Sequence, residues 1–309
     1  MPRKVDSKYV WMDGEVVDAD NAHVSFFAHC IHYGTAVFEG IRSYDAEGGP
    51  AIFRLPEHWA RLRRSARGYF MEYPWTDEQL TEASRDLIRR HGFSECYIRP
   101  VVLTGEGRMG VRPVDCETNV YIAVWSWGEY LGPGALENGI SAKIVERKKY
   151  HPSAFDPTVK ASGHYLNSVV ATKEAAAGGY DEGILLNPDG RIAEGAGENI
   201  FLVNEGRLQT NPAEESLLPG VTRDSVMQIA SNFGVECDIA PFSVEDLMGA
   251  DEAFFTGTAA EVTPIAKVDD QPIGSGSRGP VTEKIQSTYL AAVRGRADDT
   301  YVPWLTSVD

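Results

Sequence analysis

TVKASGHYLNSVVATKEAAAGGYDEGILLNPDGRIAEGAGENIF, residues 158–201, holds the elements from which the fold can be read. Tyr165 to Ala177 contains neither proline nor glycine and stops at Gly178-Gly179, the pattern of a helix closed by a glycine C-cap. Gly183 to Leu186 is a short apolar run, a strand, ending in the turn Asn187-Pro188-Asp189-Gly190. Asn199 to Val203 is a second strand. Three chemically capable groups are set around these elements. Lys160 stands in Val159-Lys160-Ala161-Ser162-Gly163, among small uncharged residues. Tyr165 opens the helix. Glu194 sits in Glu194-Gly195-Ala196-Gly197-Glu198-Asn199, a glycine-bearing turn.

Strands and helices go on alternating toward the C-terminus. Ile140 to Val145, Glu236 to Ala240 and Ala253 to Phe255 read as strands. Residues 221–233, stopped by Gly234, and 280–293 read as helices. The N-terminal part opens with two β-prone runs around Asp13-Gly14, a hairpin. Residues 29–44, HCIHYGTAVFEGIRSY, are dense in aromatic and small residues, and Gly34 and Gly40 suggest close backbone approach. Ala51 to Phe53 is a short strand. Residues 56–70 form an amphipathic helix carrying Arg61, Arg63, Arg64 and Arg67. Thr76 with Gln79 is a capping-box pattern for the next helix, which Gly92 ends. Strands at Cys96 to Thr104 and 119–126 flank the loop GEGRMGVRP, residues 105–113. The glycine- and proline-rich stretch 128–138 is the best domain boundary. A mixed α/β (α+β) protein is expected, with a small domain over 1–127, a linker over 128–138 and a larger domain over 139–309.

Composition narrows the partners. The chain has 309 residues, 43% of them hydrophobic and 24% charged, which is ordinary for a soluble globular protein. A formal charge of −16 argues against nucleic acid and against an anionic membrane surface. The four cysteines are scattered, which suits a reducing cytosol. The polar N-terminus lacks the apolar core of a signal peptide, and no apolar run approaches a membrane span. A soluble, cytoplasmic protein is the expectation. The seven histidines show no metal-ligand spacing, so no metal is expected.

Partial desolvation would lower the pKa of a lysine such as Lys160 and free its amine as a nucleophile. Lys148 and Lys149, in Glu146-Arg147-Lys148-Lys149-Tyr150, read instead as a solvated charged run. Glu194 beside a pyridine nitrogen would keep that nitrogen protonated, and Tyr165 would hydrogen-bond a ring oxygen. Glu198 is equally open to the reading of a surface carboxylate in a turn. Leu218-Pro219-Gly220-Val221-Thr222-Arg223 delivers the chain into a helix N-terminus and suits a phosphate. Thr256-Gly257-Thr258-Ala259-Ala260-Glu261 is a second turn of small polar residues, suited to another anion. None of these turns is specific when taken alone.

Together these pieces resemble the class IV aminotransferases, the fold-type IV pyridoxal-phosphate enzymes, and most closely their branched-chain amino-acid aminotransferases. The motifs HYGTAVFEGIRSY, YIRP, MGVRP, WGEYLG, KASGHYLNS, EGAGEN, LPGVTRD and GTAAEVTP occur in order and span most of the chain. The resemblance implies a small N-terminal α/β domain and a larger C-terminal α/β pseudo-barrel. It implies pyridoxal 5′-phosphate as cofactor, with Lys160 as the Schiff-base lysine that also moves the proton between Cα and C4′. It further implies Glu194 at the pyridine nitrogen, Tyr165 at the ring oxygen, and Arg61, Val221, Thr222 and Thr258 at the phosphate. Phe38, Gly40, Tyr97, Arg99, Trp127 and Tyr130 would line the substrate pocket. Tyr97 and the N–H groups of Thr258 and Ala259 would take the α-carboxylate, and Arg99 the γ-carboxylate of glutamate. Tyr33, Met109 and Val111 would reach across a homodimer, with assembly into a hexamer left open. The implied reaction converts branched-chain L-amino acid and 2-oxoglutarate into 2-oxo acid and glutamate. D-amino-acid or (R)-amine transamination and aminodeoxychorismate lysis are the alternatives within the fold. The segment 145–151 departs from the family's usual pattern.

Overall fold

The computed structural model describes residues 5–128, 131–132 and 134–309, which fall into two compact units. The first comprises the described residues up to Gly128 together with Val159–His164 and Ala292–Asp309; the second comprises those of Glu129–Thr158 and Tyr165–Ala291.

In the first unit the hairpin forms as β1 (Tyr9–Met12) and β2 (Glu15–Asp18), paired antiparallel around the turn. Residues after helix α1 (His29–Tyr33) supply β3 (Ala36–Phe38), β4 (Ile41–Ala46) and β5 (Gly49–Phe53). Helices α2 (Leu55–Gly68) and α3 (Asp77–His91) precede the long strands β6 (Cys96–Thr104) and β7 (Thr118–Trp125). The sheet order is Leu305–Ser307, β5, β4, β6, β7, β1, β2, with β3 on β6. α3 begins with the expected reciprocal cap, Thr76 and Gln79 each bonding the other's backbone, and ends at Gly92 with φ 68°. Both helices turn apolar faces inward, so Leu55, Trp59, Leu62, Leu80 and Leu87 join Ile41, Ile98, Val102 and Ile122 in one core.

The second unit is built on β8 (Ile140–Lys148), α5 (Tyr165–Ala177), β9 (Glu182–Leu186), β10 (Ile192–Gly195), β11 (Asn199–Asn204), β12 (Arg207–Thr210), β13 (Cys237–Ile239), β14 (Glu252–Gly257), β15 (Glu261–Val268) and β16 (Gln271–Pro272). Helix α4 (Ala135–Asn138) lies in the stretch expected to be linker. α6 (Val221–Asn232), α7 (Val244–Met248) and α8 (Pro280–Ala292) complete the set. Its strands run in the order β10, β9, β8, β15, β14, β11, β12, β13, with β16 on β15. β8 pairs in parallel with both β9 and β15. Phe201 and Phe254 stack at 5.1 Å between ring centroids in its interior.

The fold departs from the sequence reading at β15 and at the domain bounds. β15 went unread because Pro264 lies inside it, and proline argues against an interior strand. Nor is 139–309 one continuous body, since Val159–His164 and Ala292–Asp309 belong to the first unit. The cause is main-chain pairing. Phe38 N–H donates to the Lys160 carbonyl at 3.0 Å, Ser162 N–H to the Ala36 carbonyl at 2.8 Å, and Val37 bridges Ala161. Val159 and Ala161, each 3% exposed, are core residues there. Among the described residues no helix is long and apolar enough to cross a membrane.

Candidate active site

The end of β3 and its short link to β4, Phe38-Glu39-Gly40, organise the first unit's share of the site. Its Phe38 is pinned by backbone to Lys160, whose own N–H donates to Ser65 Oγ at 3.0 Å. The Lys160 amine lies 5.1 Å from the centre of the Phe38 ring. A second cation lies close to the same ring. Arg99 Cζ is 4.8 Å from the Phe38 ring centre and 5.3 Å from that of Tyr97. Tyr97 in turn packs at 4.7 Å on Trp127 and 5.2 Å on Trp125. Gly40 is required by this packing, because a Cβ there would sit 1.9 Å from Tyr97 Oη. Phe38, Gly40, Tyr97, Arg99, Trp127 and Lys160 are therefore brought together as an aromatic box holding an amine and a guanidinium.

Glu39, fully buried between Phe38 and Gly40, had no role in the sequence reading. Arg61 donates from Nε to Glu39 Oε1 at 2.6 Å and from Nη2 to Oε2 at 2.8 Å, and His58 Nδ1 lies 2.8 Å from Oε2. Burial alone would raise the Glu39 carboxyl, but Arg61 and the bonds from Arg61 and His58 outweigh it and hold the group well below the usual carboxylate range. Burial pushes the His58 imidazole down, against the pull of Glu39. His58 and Arg61 stand three apart on α2, so one helix face delivers both to one carboxylate.

In the second unit Glu194 follows a break in the β9–β10 register, a bulge that re-aims its side chain. Asn211 holds the bulge by donating to the carbonyls of Ile192 and Ala193. Lys149 Nζ lies 2.6 Å from Glu194 Oε1, and both side chains are under a tenth exposed. The reading of Lys149 as part of a solvated run is therefore wrong. The main chain leaves β8 and stays paired, Lys149 N–H donating to the Leu186 carbonyl, which carries the side chain inward. Lys148 remains outside, on the Pro188 carbonyl.

Asn199 joins two of the motifs, EGAGEN and LPGVTRD. Its Nδ2 donates to Glu194 Oε2 at 3.3 Å and to the Leu218 carbonyl at 2.9 Å, and Leu218 N–H returns to Glu194 Oε2 at 3.0 Å. Gly220, the residue before α6, admits this clasp, since a Cβ would lie 2.2 Å from Asn199 Oδ1. Gly220 at the N-cap gives α6 no side-chain cap, which suits the N–H groups of Val221 and Thr222 to an outside acceptor. Glu198 is buried, not a surface carboxylate, and accepts from Gly197 N–H. It also packs its Cγ 3.5 Å from where a Cβ of Gly257 would stand, which sets the Thr258-Ala259 turn beside EGAGEN. Thr256 Oγ1 is buried without a hydrogen-bond partner among the described residues.

Tyr165 stands half-buried at the start of α5, and Thr258 and Ala259 are half-buried between β14 and β15. Tyr130 lies outside the described residues. Tyr33, Met109 and Val111 are 40%, 48% and 81% exposed. His29 gathers them on one surface of the first unit: its ring centre is 4.4 Å from that of Tyr33, and its Nε2 is 3.0 Å from the Gly110 carbonyl. Glu39, Lys149 and Asn199 are the residues sequence reasoning missed. Glu39 and Asn199 each lie inside a motif already singled out, which was a signal to find them by; Lys149 had none.

Residues 36–268 match the family described as "Amino-transferase class IV". The chain is 43% identical over 302 residues to the branched-chain-amino-acid aminotransferase of Escherichia coli (strain K12), covering 97% of each chain. It is similar to the crystal structure of the E. coli branched-chain amino acid aminotransferase, with TM-score 0.96 and 43% identity over 98% of this chain and all of the other. It is also similar to the branched-chain amino acid aminotransferase from Thermobaculum terrenum in its PLP-form (holo-form), with TM-score 0.92 and 32% identity over 99% of this chain and all of the other. The expected mixed α/β, fold-type IV architecture agrees with these likenesses.

Proposed function

The chain belongs to the class IV aminotransferases, and we infer that within them it moves the amino group of branched-chain L-amino acids to 2-oxoglutarate, giving 2-oxo acids and L-glutamate. Its cofactor is pyridoxal 5′-phosphate. The residues present fit that group. A half-buried amine stands against an aromatic ring, a buried carboxylate is braced by a lysine, and an uncapped twelve-residue helix accompanies the orphaned Thr256 hydroxyl.

The observation that carries the substrate reading is the shared Phe38 ring, with the Lys160 amine 5.1 Å and the Arg99 guanidinium 4.8 Å from its centre. An aliphatic side chain meets aromatic walls there, while a γ-carboxylate meets Arg99, so one box suits both amino donors. When bound, the cofactor supplies an aldehyde and a protonated ring that stabilises negative charge at Cα. Lys160 would anchor it and then take and return the Cα proton, its half-buried amine standing 5.1 Å from the centre of the Phe38 ring. Glu194 would hold the ring nitrogen's proton, its own charge balanced by Lys149. Tyr165 would donate to the ring oxygen. Arg61, Val221, Thr222 and Thr258 would hold the phosphate, and Tyr97 with the N–H groups of Thr258 and Ala259 the α-carboxylate.

A second copy of the chain is proposed to cover Tyr33, Met109 and Val111. Exposure of these apolar side chains on the surface gathered by His29, with Phe26, Phe27 and Ile31 exposed as well, supports a homodimer. The cytoplasm is the proposed compartment, supported by four cysteines that are all unpaired.

The reaction is tested by mixing holoenzyme with single amino acids and following the cofactor's visible spectrum. L-leucine, L-isoleucine, L-valine and L-glutamate should each convert it, while D-alanine and an (R)-amine should lag far behind. Failure of L-leucine and L-valine would overturn the assignment.

A further inference from the structure

We propose that Glu39 is the positioning residue for Arg61, fixing its guanidinium in the pose that receives the cofactor's phosphate. The inference rests on the reading of Arg61 as a phosphate-binding residue, and adds what holds that residue in place.

The contact is side-on. Nε and Nη2 of Arg61 donate to the two separate oxygens of Glu39, at 2.6 and 2.8 Å. Two parallel bonds on one edge remove rotation about the last side-chain bond and set the plane of the guanidinium, which a single bond does not do. Nη1 is the amine outside that edge. Glu39 is itself immobile. It is wholly buried, its N–H donates to the Pro100 carbonyl at 3.0 Å, and His58 takes up Oε2 from the same helix face as Arg61. Its neighbours in sequence also meet site residues: Phe38 N–H donates to the Lys160 carbonyl, and Gly40 leaves room for the Tyr97 hydroxyl. One three-residue segment therefore touches the residues that bear the amine, the guanidinium and the phenol, and fixes the guanidinium directly.

Electrostatics gives the pairing a reason. Arg61 is 5% exposed, and a buried guanidinium without a counter-charge would be strongly unfavourable before the cofactor arrives. Glu39 offsets that charge in the apoprotein, so an incoming phosphate meets a cation already in place and little reorganisation is required.

The test compares pyridoxal 5′-phosphate with pyridoxal, which has the aldehyde and lacks the phosphate, titrated into apoprotein and followed by absorbance. Wild type, Arg61→Met and Glu39→Gln are measured, with near-ultraviolet circular dichroism as a check on folding. The expected result is that Glu39→Gln lowers the preference for the phosphate ester at least tenfold and leaves pyridoxal affinity within twofold. Should Glu39→Gln not fold, Glu39→Asp replaces it, with an expected loss of at least threefold in the same ratio. If Arg61→Met lowers the preference while the Glu39 variant stays within twofold of wild type, Glu39 does not position Arg61 and the proposal falls alone. If neither variant lowers it, Arg61 does not meet the phosphate and both readings fall. An equal loss for both ligands would make Glu39 merely structural and also overturn the proposal.

Discussion

Lys149 Nζ stands 2.6 Å from Glu194 Oε1, and Glu194 Oε2 is taken by Leu218 N–H and Asn199 Nδ2. Each carboxylate oxygen thus has a protein partner, the Lys149 amine on one and the turn that opens α6 on the other. The bulge before Glu194 and the clasp at Asn199 locate the carboxylate; the lysine balances its charge. Removing one partner of such a pair leaves the other buried and uncompensated, which destabilises far more than losing a surface ion pair.

Lys149→Met should lower apoprotein stability at neutral pH by about 3 kcal/mol in urea unfolding. Lys149→Met combined with Glu194→Gln should recover most of that loss, because no charge is then left unpaired. A single variant within about 1 kcal/mol of wild type would show that the pair does not form.

Gly40→Ala separates substrate binding from stability. The new methyl group would lie 1.9 Å from Tyr97 Oη, the far end of a side chain that can swing aside. Unfolding free energy should fall by only about 1–2 kcal/mol, the range for modest overpacking. The KM for L-leucine should rise at least tenfold, since Tyr97 is proposed to take the α-carboxylate. An unchanged KM would remove Tyr97 from that role.

Elements with local signals were legible in the chain. Thr76 with Gln79 and Gly92 bounded α3, and Gly178-Gly179 bounded α5, because caps are chemistry of neighbouring residues. β15 was hidden by Pro264, whose place in a pair with Phe254 only the partner strand reveals. The inward turn of Lys149 depends on Leu186, 37 positions away, and the docking of Lys160 depends on Ala36, Phe38 and Ser65. Charge runs and small-residue runs carry no record of such distant partners. The resemblance supplied the expectation for Lys160 and Glu194; their neighbours Glu39 and Lys149 required the fold.

Glu252 is a cap supplied from another element. Its carboxylate accepts from Val281 N–H at 3.0 Å and Thr282 N–H at 2.7 Å, in the first turn of α8. Glu252→Ala leaves two helix-end donors without their acceptor and should destabilise the protein by about 2 kcal/mol. Thermal unfolding checks this. A shift no larger than that of an exposed control such as Glu245→Ala would show that the cap contributes nothing.

Glu182 gives the protein a pH dependence whose sign is fixed by burial. The residue is 2% exposed at the start of β9, and burial pushes its carboxyl up to about 7, against the opposing bond from Gly183 N–H. A carboxyl with a raised folded-state pKa binds a proton in the folded chain where the unfolded chain, near 4.5, has released it. Its contribution is therefore most favourable below pH 4.5 and is lost progressively as pH rises to about 7, after which it levels off. A shift of that size corresponds to about 3 kcal/mol across the window. Glu182→Gln keeps an oxygen for the Gly183 N–H and cannot ionise. The variant should match wild type near pH 4.5 and exceed it by up to about 3 kcal/mol at pH 8, measured by urea unfolding at a series of pH values. Other groups that titrate over the same range are common to both proteins and cancel in the difference. A difference that stays flat from pH 4.5 to 8 would mean that Glu182 does not ionise in the folded protein over that window, and a difference that falls with pH would reverse the assigned sign.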